Sequence, residues 1–390
     1  MSLSNNVVRG ACGKVAVLLA AAGLLGACGS EKPESTAAQP TSAGPEPAAL
    51  AAALEHLVTE DQVPGAQAVL GLGDKVRVFS HGVGDIATGK PFPTDARIRI
   101  GSNTKTFVAT VALQLVGEGK LSLDAPVDQY LPGVVHGESY DPKKITVRNI
   151  LQHTSGIPDY LEEPEFDEES SRYKVFQPAQ LADLPFARHP ADFAPGAKFE
   201  YSNTNYILAG MVIEEVTGQP VAAEIKTRIA DRLGLKSTFL PAPGDIAIPD
   251  PHPSGYALAD AGKPVEFTEQ DPSWAGAAGA MISTGRELNR FYVDLLNGKL
   301  LPPAQLAEMQ RTVPADEMSP GFQYGLGLAR IPSSCGKEVW GHGGTLPGFR
   351  VRNGYTKSGD AATLIVNEIP AAPAVSPDMI KAVDTALCAN

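Results

Sequence analysis

Long hydrophobic runs are missing from this sequence after residue 27, and so are a surplus of basic charge and any crowding of cysteine. Without about 20 consecutive apolar residues, the body of the chain has no helix able to span a bilayer. Lysine and arginine number 32 against 44 aspartates and glutamates, a formal net charge of −12. A chain so charged has no basic surplus to neutralise phosphates, so a nucleic-acid partner is excluded. No Cys-x-x-Cys or His-Glu-x-x-His spacing occurs, so no metal and no cofactor are expected. The Gly-x-Ser-x-Gly elbow of α/β-hydrolases is absent as well. What remains is a globular balance, 390 residues with 43% hydrophobic and 19% charged, enough for a substantial core.

The first 47 residues stand apart. Arg9 and Lys14 precede a short apolar stretch, Val15 to Leu25, which leads into Leu25-Gly26-Ala27-Cys28. That is the pattern of an export signal with small residues before its cleavage point. It resembles a bacterial lipobox, which implies cleavage before Cys28 and lipidation of its sulfur; the plainer reading is a signal peptide with an incidental cysteine. Residues 1–27 are thus expected to be a signal peptide and 28–47, rich in Pro, Ala, Ser and Thr, a disordered tether. The expected location is the outer face of the bacterial cell membrane, held only by the lipid. Cys12 leaves with the signal, so Cys335 and Cys388 are the pair left in a compartment that permits disulfides.

From residue 48 to 388 the chain reads as one domain. Ala48 to Val58 reads as a helix, and Ala66–Gly71 and Val76–His81 as a hairpin of two strands. Lys105 to Glu118 is apolar on nearly every side, which marks a helix sunk in a core. Residues 162–170 are strongly acidic and read as a solvated loop. Phe349–Tyr355 and Ala362–Asn367 read as strands, and Met379–Leu387 as a closing helix. Strands at both ends with a helical insertion at about 122–282 predict an α/β fold, an antiparallel sheet built from both termini and flanked by helices.

Ser-x-x-Lys occurs three times, at Ser102/Lys105, Ser171/Lys174 and Ser334/Lys337. Only Ser102 opens a buried helix, where positions i and i+3 share a face. A helix N-terminus offers N–H groups to an oxyanion, and burial lowers a lysine's pKa until its amine can take a hydroxyl proton. Alone, the motif reads equally well as an N-cap serine beside a surface lysine. Two further motifs occur once each, Tyr201-Ser202-Asn203 and His342-Gly343-Gly344.

In the order Ser-x-x-Lys, Tyr-x-Asn, His-x-Gly, these motifs resemble the serine β-lactamase and penicillin-binding protein family, related to the class C β-lactamases. The stretches Leu151–Ile157, Tyr201–Tyr206 and Tyr324–Leu328 extend the likeness across residues 50 to 388, and it is greatest to a secreted Streptomyces D-alanyl-D-alanine carboxypeptidase. The resemblance implies a serine acyl hydrolase with Ser102 as nucleophile, Lys105 as base and Tyr201 as proton shuttle to the leaving group. Asn203 would position substrate, His342 would form a polar or cationic wall beside Tyr201, and the backbone amides of Ser102 and Thr345 would hold the oxyanion. Trp274 would line the cleft or pack in the core, and His153 would be structural. The implied substrate is a small molecule or peptide with an acyl carbonyl, first a cell-wall-type D-amino-acid peptide. The alternatives are an esterase, a D-aminopeptidase-like amidase, or a surface lipoprotein without catalysis; a monomer is expected. Two departures weaken recognition of a terminal carboxylate: Gly343 stands where the carboxypeptidase has Thr, and Ala329 where it has Arg.

Overall fold

The computed structural model describes residues 45–389 apart from 167, 259–263 and 368–373. The proposed signal peptide, Cys28 and nearly all of the tether lie outside these residues. No helix among those described is long and apolar enough to cross a membrane.

The first helix, α1 (Ala48–Thr59), places Leu50, Leu54 and Leu57 on one face at helical spacing, and all three are fully buried. Emptying one such position by Leu→Ala costs about 2–5 kcal/mol. The chain then enters a main sheet that has nine strands among the described residues. They are β1 (Gly65–Leu70), β2 (Arg77–Gly82), β3 (Val313–Pro314), β4 (Gln323–Tyr324), β5 (Ala329–Ile331), β6 (Val339–Gly341), β7 (Gly343–Leu346), β8 (Phe349–Tyr355) and β9 (Ala361–Val366). Their order is β2-β1-β9-β8-β6-β5-β4-β3, all neighbours antiparallel, with β7 folded back on β8. First and last strands therefore lie side by side, Ala68 opposite Leu364, and the sheet is built from both ends of the domain.

Every residue of β1 and β9 is buried because helices cover both faces. On one side α1 packs with the last helix, α5 (Val375–Cys388), and with Val366 and Leu364 in one apolar cluster. On the other side lies α4 (Gly285–Leu296), whose Thr284 cap accepts the Glu287 N–H.

Between β2 and β3 comes the inserted region, mainly helical, with two small two-stranded sheets, Arg97–Arg99 with Ile282–Thr284 and Tyr256–Leu258 with Pro264–Glu266. Its centre is α2 (Thr104–Gly117), buried from Thr104 through Leu115, as the all-round apolar pattern requires. Against it lies α3 (Thr204–Thr217). Most of the described residues of the acidic stretch are exposed, as expected of a solvated segment, but part of the stretch is ordered and one acid is buried. It forms short helical turns at 160–162 and 164–166, and Glu163 is buried between Arg188 and His189, 2.7 and 2.6 Å away. The Arg188 guanidinium and the His189 ring stand in for the water a carboxylate would otherwise need.

Candidate active site

Ser102 sits in a single 3-10 turn, Gly101–Asn103, immediately before α2. Gly101 has φ +54°, a left-handed conformation that favours glycine, and a Cβ there would stand 2.6 Å from the Thr345 backbone nitrogen. Gly344 is equally confined, since a Cβ on it would meet the Ile100 carbonyl oxygen. These two glycines let the nucleophile turn and β7 approach backbone to backbone. Leu346 and Phe349 flank the two-residue turn of the β7–β8 hairpin, so the next pair, Thr345 and Arg350, does not exchange ladder bonds. The Thr345 N–H thereby points away from β8 and toward Gly101-Ser102.

Lys105 lies one turn into α2, fully buried. Its Nζ is 3.0 Å from Ser102 Oγ, 2.7 Å from Asn203 Oδ1 and 2.7 Å from the Ala278 carbonyl oxygen. Burial, only partly opposed by Asp159, pulls its pKa down to about 7. Three neighbours suit both charge states. The ammonium donates to all three, while the neutral amine donates to Asn203 and Ala278 and turns its lone pair to the Ser102 hydroxyl. A proton can pass from Ser102 to Lys105 with no rearrangement of the surroundings.

Asn203 is clamped from both ends, since its Nδ2 donates to Asp159 Oδ2 at 2.6 Å. Tyr201 presents its hydroxyl to Ser102 and its ring to Lys105, whose Nζ is 4.8 Å from the ring centroid. Burial raises the Tyr201 pKa, so at neutral pH it is a phenol, able to receive one proton while giving another. His153 stacks on Tyr201 at 4.2 Å, and its Nδ1 accepts the Ser202 N–H. It holds the Tyr201 segment in place.

His342 is buried. Burial and the nearby Lys105 lower its pKa to about 3, so it is neutral. Nδ1 donates to the Gly343 carbonyl at 2.6 Å, which leaves Nε2 to accept the Tyr324 hydroxyl at 3.0 Å. Of the polar or cationic wall expected at His342, the neutral imidazole is the polar form. Besides Lys105, a basic group near Tyr201 is Arg352 of β8, missed in the sequence. Asp159 was missed too, as was Asn353, which accepts the His342 N–H and donates to Asn103 beside Ser102.

Ser102, Tyr201, His342, Gly343, Thr345 and Arg352 line one cleft of about 460 Å³. Trp274 is on a neighbouring cavity of about 240 Å³ that shares Thr345 with the cleft; its carbonyl accepts the Tyr160 hydroxyl. Of the other two Ser-x-x-Lys pairs, Ser334 is exposed and Lys337 is bound by Asp360 and the Leu387 carbonyl. Ser171 is buried in a short helix with Lys174 exposed. Cys335 and Cys388 form a disulfide that joins the β5–β6 loop to the end of α5. Among the described residues, the one grouping of metal-capable side chains is His56, Asp61 and Asp378, outside the cleft.

Known proteins share this architecture. Residues 50–366 match the family described as Beta-lactamase. The chain is 29% identical over 343 residues to esterase EstB of Burkholderia gladioli, spanning 79% of this chain and 86% of that one. It is 30% identical over 261 residues to a β-lactamase of Pseudomonas fluorescens, 65% and 66% of the two chains. Among solved structures, a D-stereospecific amidohydrolase from Streptomyces sp. matches with TM-score 0.80 and 40% identity over 89% of this chain and 100% of that one. The D-amino acid amidase from Ochrobactrum anthropi SV3 matches with TM-score 0.74 and 29% identity over 86% and 98%.

Proposed function

This chain belongs to the β-lactamase family of serine hydrolases, and from that premise we propose that it cleaves amides and peptides of D-amino acids through an acyl-enzyme at Ser102. The observation that carries the proposal is the contact of a fully buried amine, Lys105, with the Ser102 hydroxyl at 3.0 Å. Lys105 takes the hydroxyl proton as Oγ bonds to the substrate carbonyl carbon. The N–H groups of Ser102 and Thr345 face the oxygen that gains charge. Tyr201 passes a proton to the departing nitrogen as the C–N bond breaks, and water then hydrolyses the ester on Ser102.

The preference for D-amino-acid acyl groups is supported by the likeness to the Streptomyces amidohydrolase and the Ochrobactrum amidase. A D,D-carboxypeptidase action on cell-wall-type peptides is the same chemistry with a D-amino acid as leaving group. An esterase is the second reading, favoured by the Burkholderia relative. Intact-mass spectrometry during turnover of a D-amino-acid amide and a short-chain ester tests the proposal. It predicts an acyl adduct that is absent from Ser102→Ala, with turnover lost by several orders of magnitude. An unchanged rate in that variant contradicts it.

Export and lipid anchoring at Cys28 of a monomeric enzyme belong to the proposal as well. They are supported by the Arg9-to-Cys28 pattern. Unchanged membrane fractionation of Cys28→Ala contradicts the anchor.

A further inference from the structure

We propose that Arg352 reads a terminal carboxylate on the substrate, and that Gly343 lacks a side chain because the Arg352 fork occupies its place. This rests on acylation at Ser102 and deepens it, naming the substrate class as peptides whose leaving group ends in a free carboxylate.

The register of β7 on β8 sets Gly343 opposite Arg352. A Cβ on Gly343 would lie 2.9 Å from Arg352 Nη1 and 3.2 Å from its Cδ and Cζ. The guanidinium thus fills the volume that a threonine side chain would take. In the sequence, Gly343 reads as a hydroxyl lost from carboxylate recognition. In the structure a stronger carboxylate partner has been brought to the same spot from the neighbouring strand.

The fork is short of acceptors. Nη1 donates to the Gly344 and Val351 carbonyls at 3.1 and 2.8 Å, and Nη2 donates to Ser376 Oγ at 2.7 Å. Nε and the second Nη2 hydrogen have no protein acceptor among the described residues. Ser376 Oγ also receives Arg350 Nη1 at 2.9 Å, so two guanidinium groups share one hydroxyl. No carboxylate among the described residues forms an ion pair with either arginine, although the chain carries a net charge of −12. Two acids line the cleft. Glu317 accepts the Tyr201 N–H, and Asp384 accepts the Ser334 N–H. Burial and Arg350 lower the Arg352 pKa to about 10, which leaves it charged at neutral pH. A part-buried cation beside a second cation, open to the cleft, is completed by an anion. Ser102, Tyr201 and Arg352 line one cavity, which puts that anion on the path of the group that receives the Tyr201 proton.

The experiment measures protection of Ser102 from a neutral fluorophosphonate by N-acetyl-D-alanyl-D-alanine and by its C-terminal amide. The wild-type protein is expected to be protected by the acid at about ten- to hundredfold lower concentration than by the amide. Arg352→Gln should bring that ratio near one, Arg352→Lys should keep part of it, and Gly343→Thr should lower it by pushing the fork aside. Taking a ratio within each variant cancels any general change in reactivity. Equal protection by acid and amide in the wild type, protection by neither, or an unchanged ratio in Arg352→Gln overturns the proposal. The wild-type ratio decides alone where a variant does not fold. Failure of the probe to label Ser102 in the wild type contradicts the acyl-enzyme itself.

Discussion

The cleft has two walls that treat buried charge in opposite ways. On the helical wall, Lys105 is surrounded by acceptors, and Asp159 stands behind Asn203 as a counter-charge. On the sheet wall, Arg350 and Arg352 share one serine hydroxyl and, among the described residues, no acid. A satisfied, desolvated lysine is poised to exchange a proton with its neighbour. An unsatisfied guanidinium is poised to bind something that arrives. The contrast separates the chemistry, which the family shares, from the reading of substrate, which this chain sets by its own residues.

The largest effect should come from the helical wall. Lys105→Met keeps the apolar bulk and removes the base, so acylation of Ser102 should slow by about 10²–10⁴-fold, measured by stopped-flow labelling. A change of less than tenfold would mean that another group takes the proton.

Next comes the sheet wall's anchor. The Cys335–Cys388 bond closes a loop of 53 residues and ties α5, which supplies Ser376, to the β5–β6 loop. Cys335→Ser with Cys388→Ser should destabilise the fold by ~2–4 kcal/mol, read from urea unfolding. The same variant should weaken the acid-over-amide preference more than the labelling rate. An equal loss of both would erase the division between the walls.

The smallest effect should come from Asp159. Its charge favours the Lys105 ammonium, so Asp159→Asn should lower the Lys105 pKa further. The rise of acylation with pH should then move to lower pH by about one unit. A shift to higher pH would contradict the assigned sign.

How much of this was legible follows the same division. Ser102 and Lys105 were singled out by a motif at the head of the apolar α2, while Tyr201 and Asn203 gained their roles only from the resemblance of the ordered motifs to a known family; the strands at both termini foretold the sheet. Arg352 could not be found that way. In β8 the arginines alternate with Phe349 and Val351, and such alternation reads as a solvated face. Here α5 covers that face and turns it into the cleft's wall, a tertiary fact with no local signal. Asp159 hides for a similar reason, since only the fold brings it to Asn203, 44 residues away. At His342 the sequence left a polar or a cationic wall open, because its charge depends on burial, which periodicity does not report. Glu163 in the acidic stretch is the same lesson reversed, a carboxyl group that looked solvated and is enclosed by Arg188 and His189.

The central claim is that burial makes Lys105 the base for Ser102. Its most direct test is the rate of Ser102 acylation by a neutral ester across pH 5 to 10. Only the neutral amine can take the proton, so the rate should be low at acid pH and rise through an apparent pKa of about 7. A rate that stays flat across that range, or rises only near the ordinary lysine pKa of about 10.4, would contradict it.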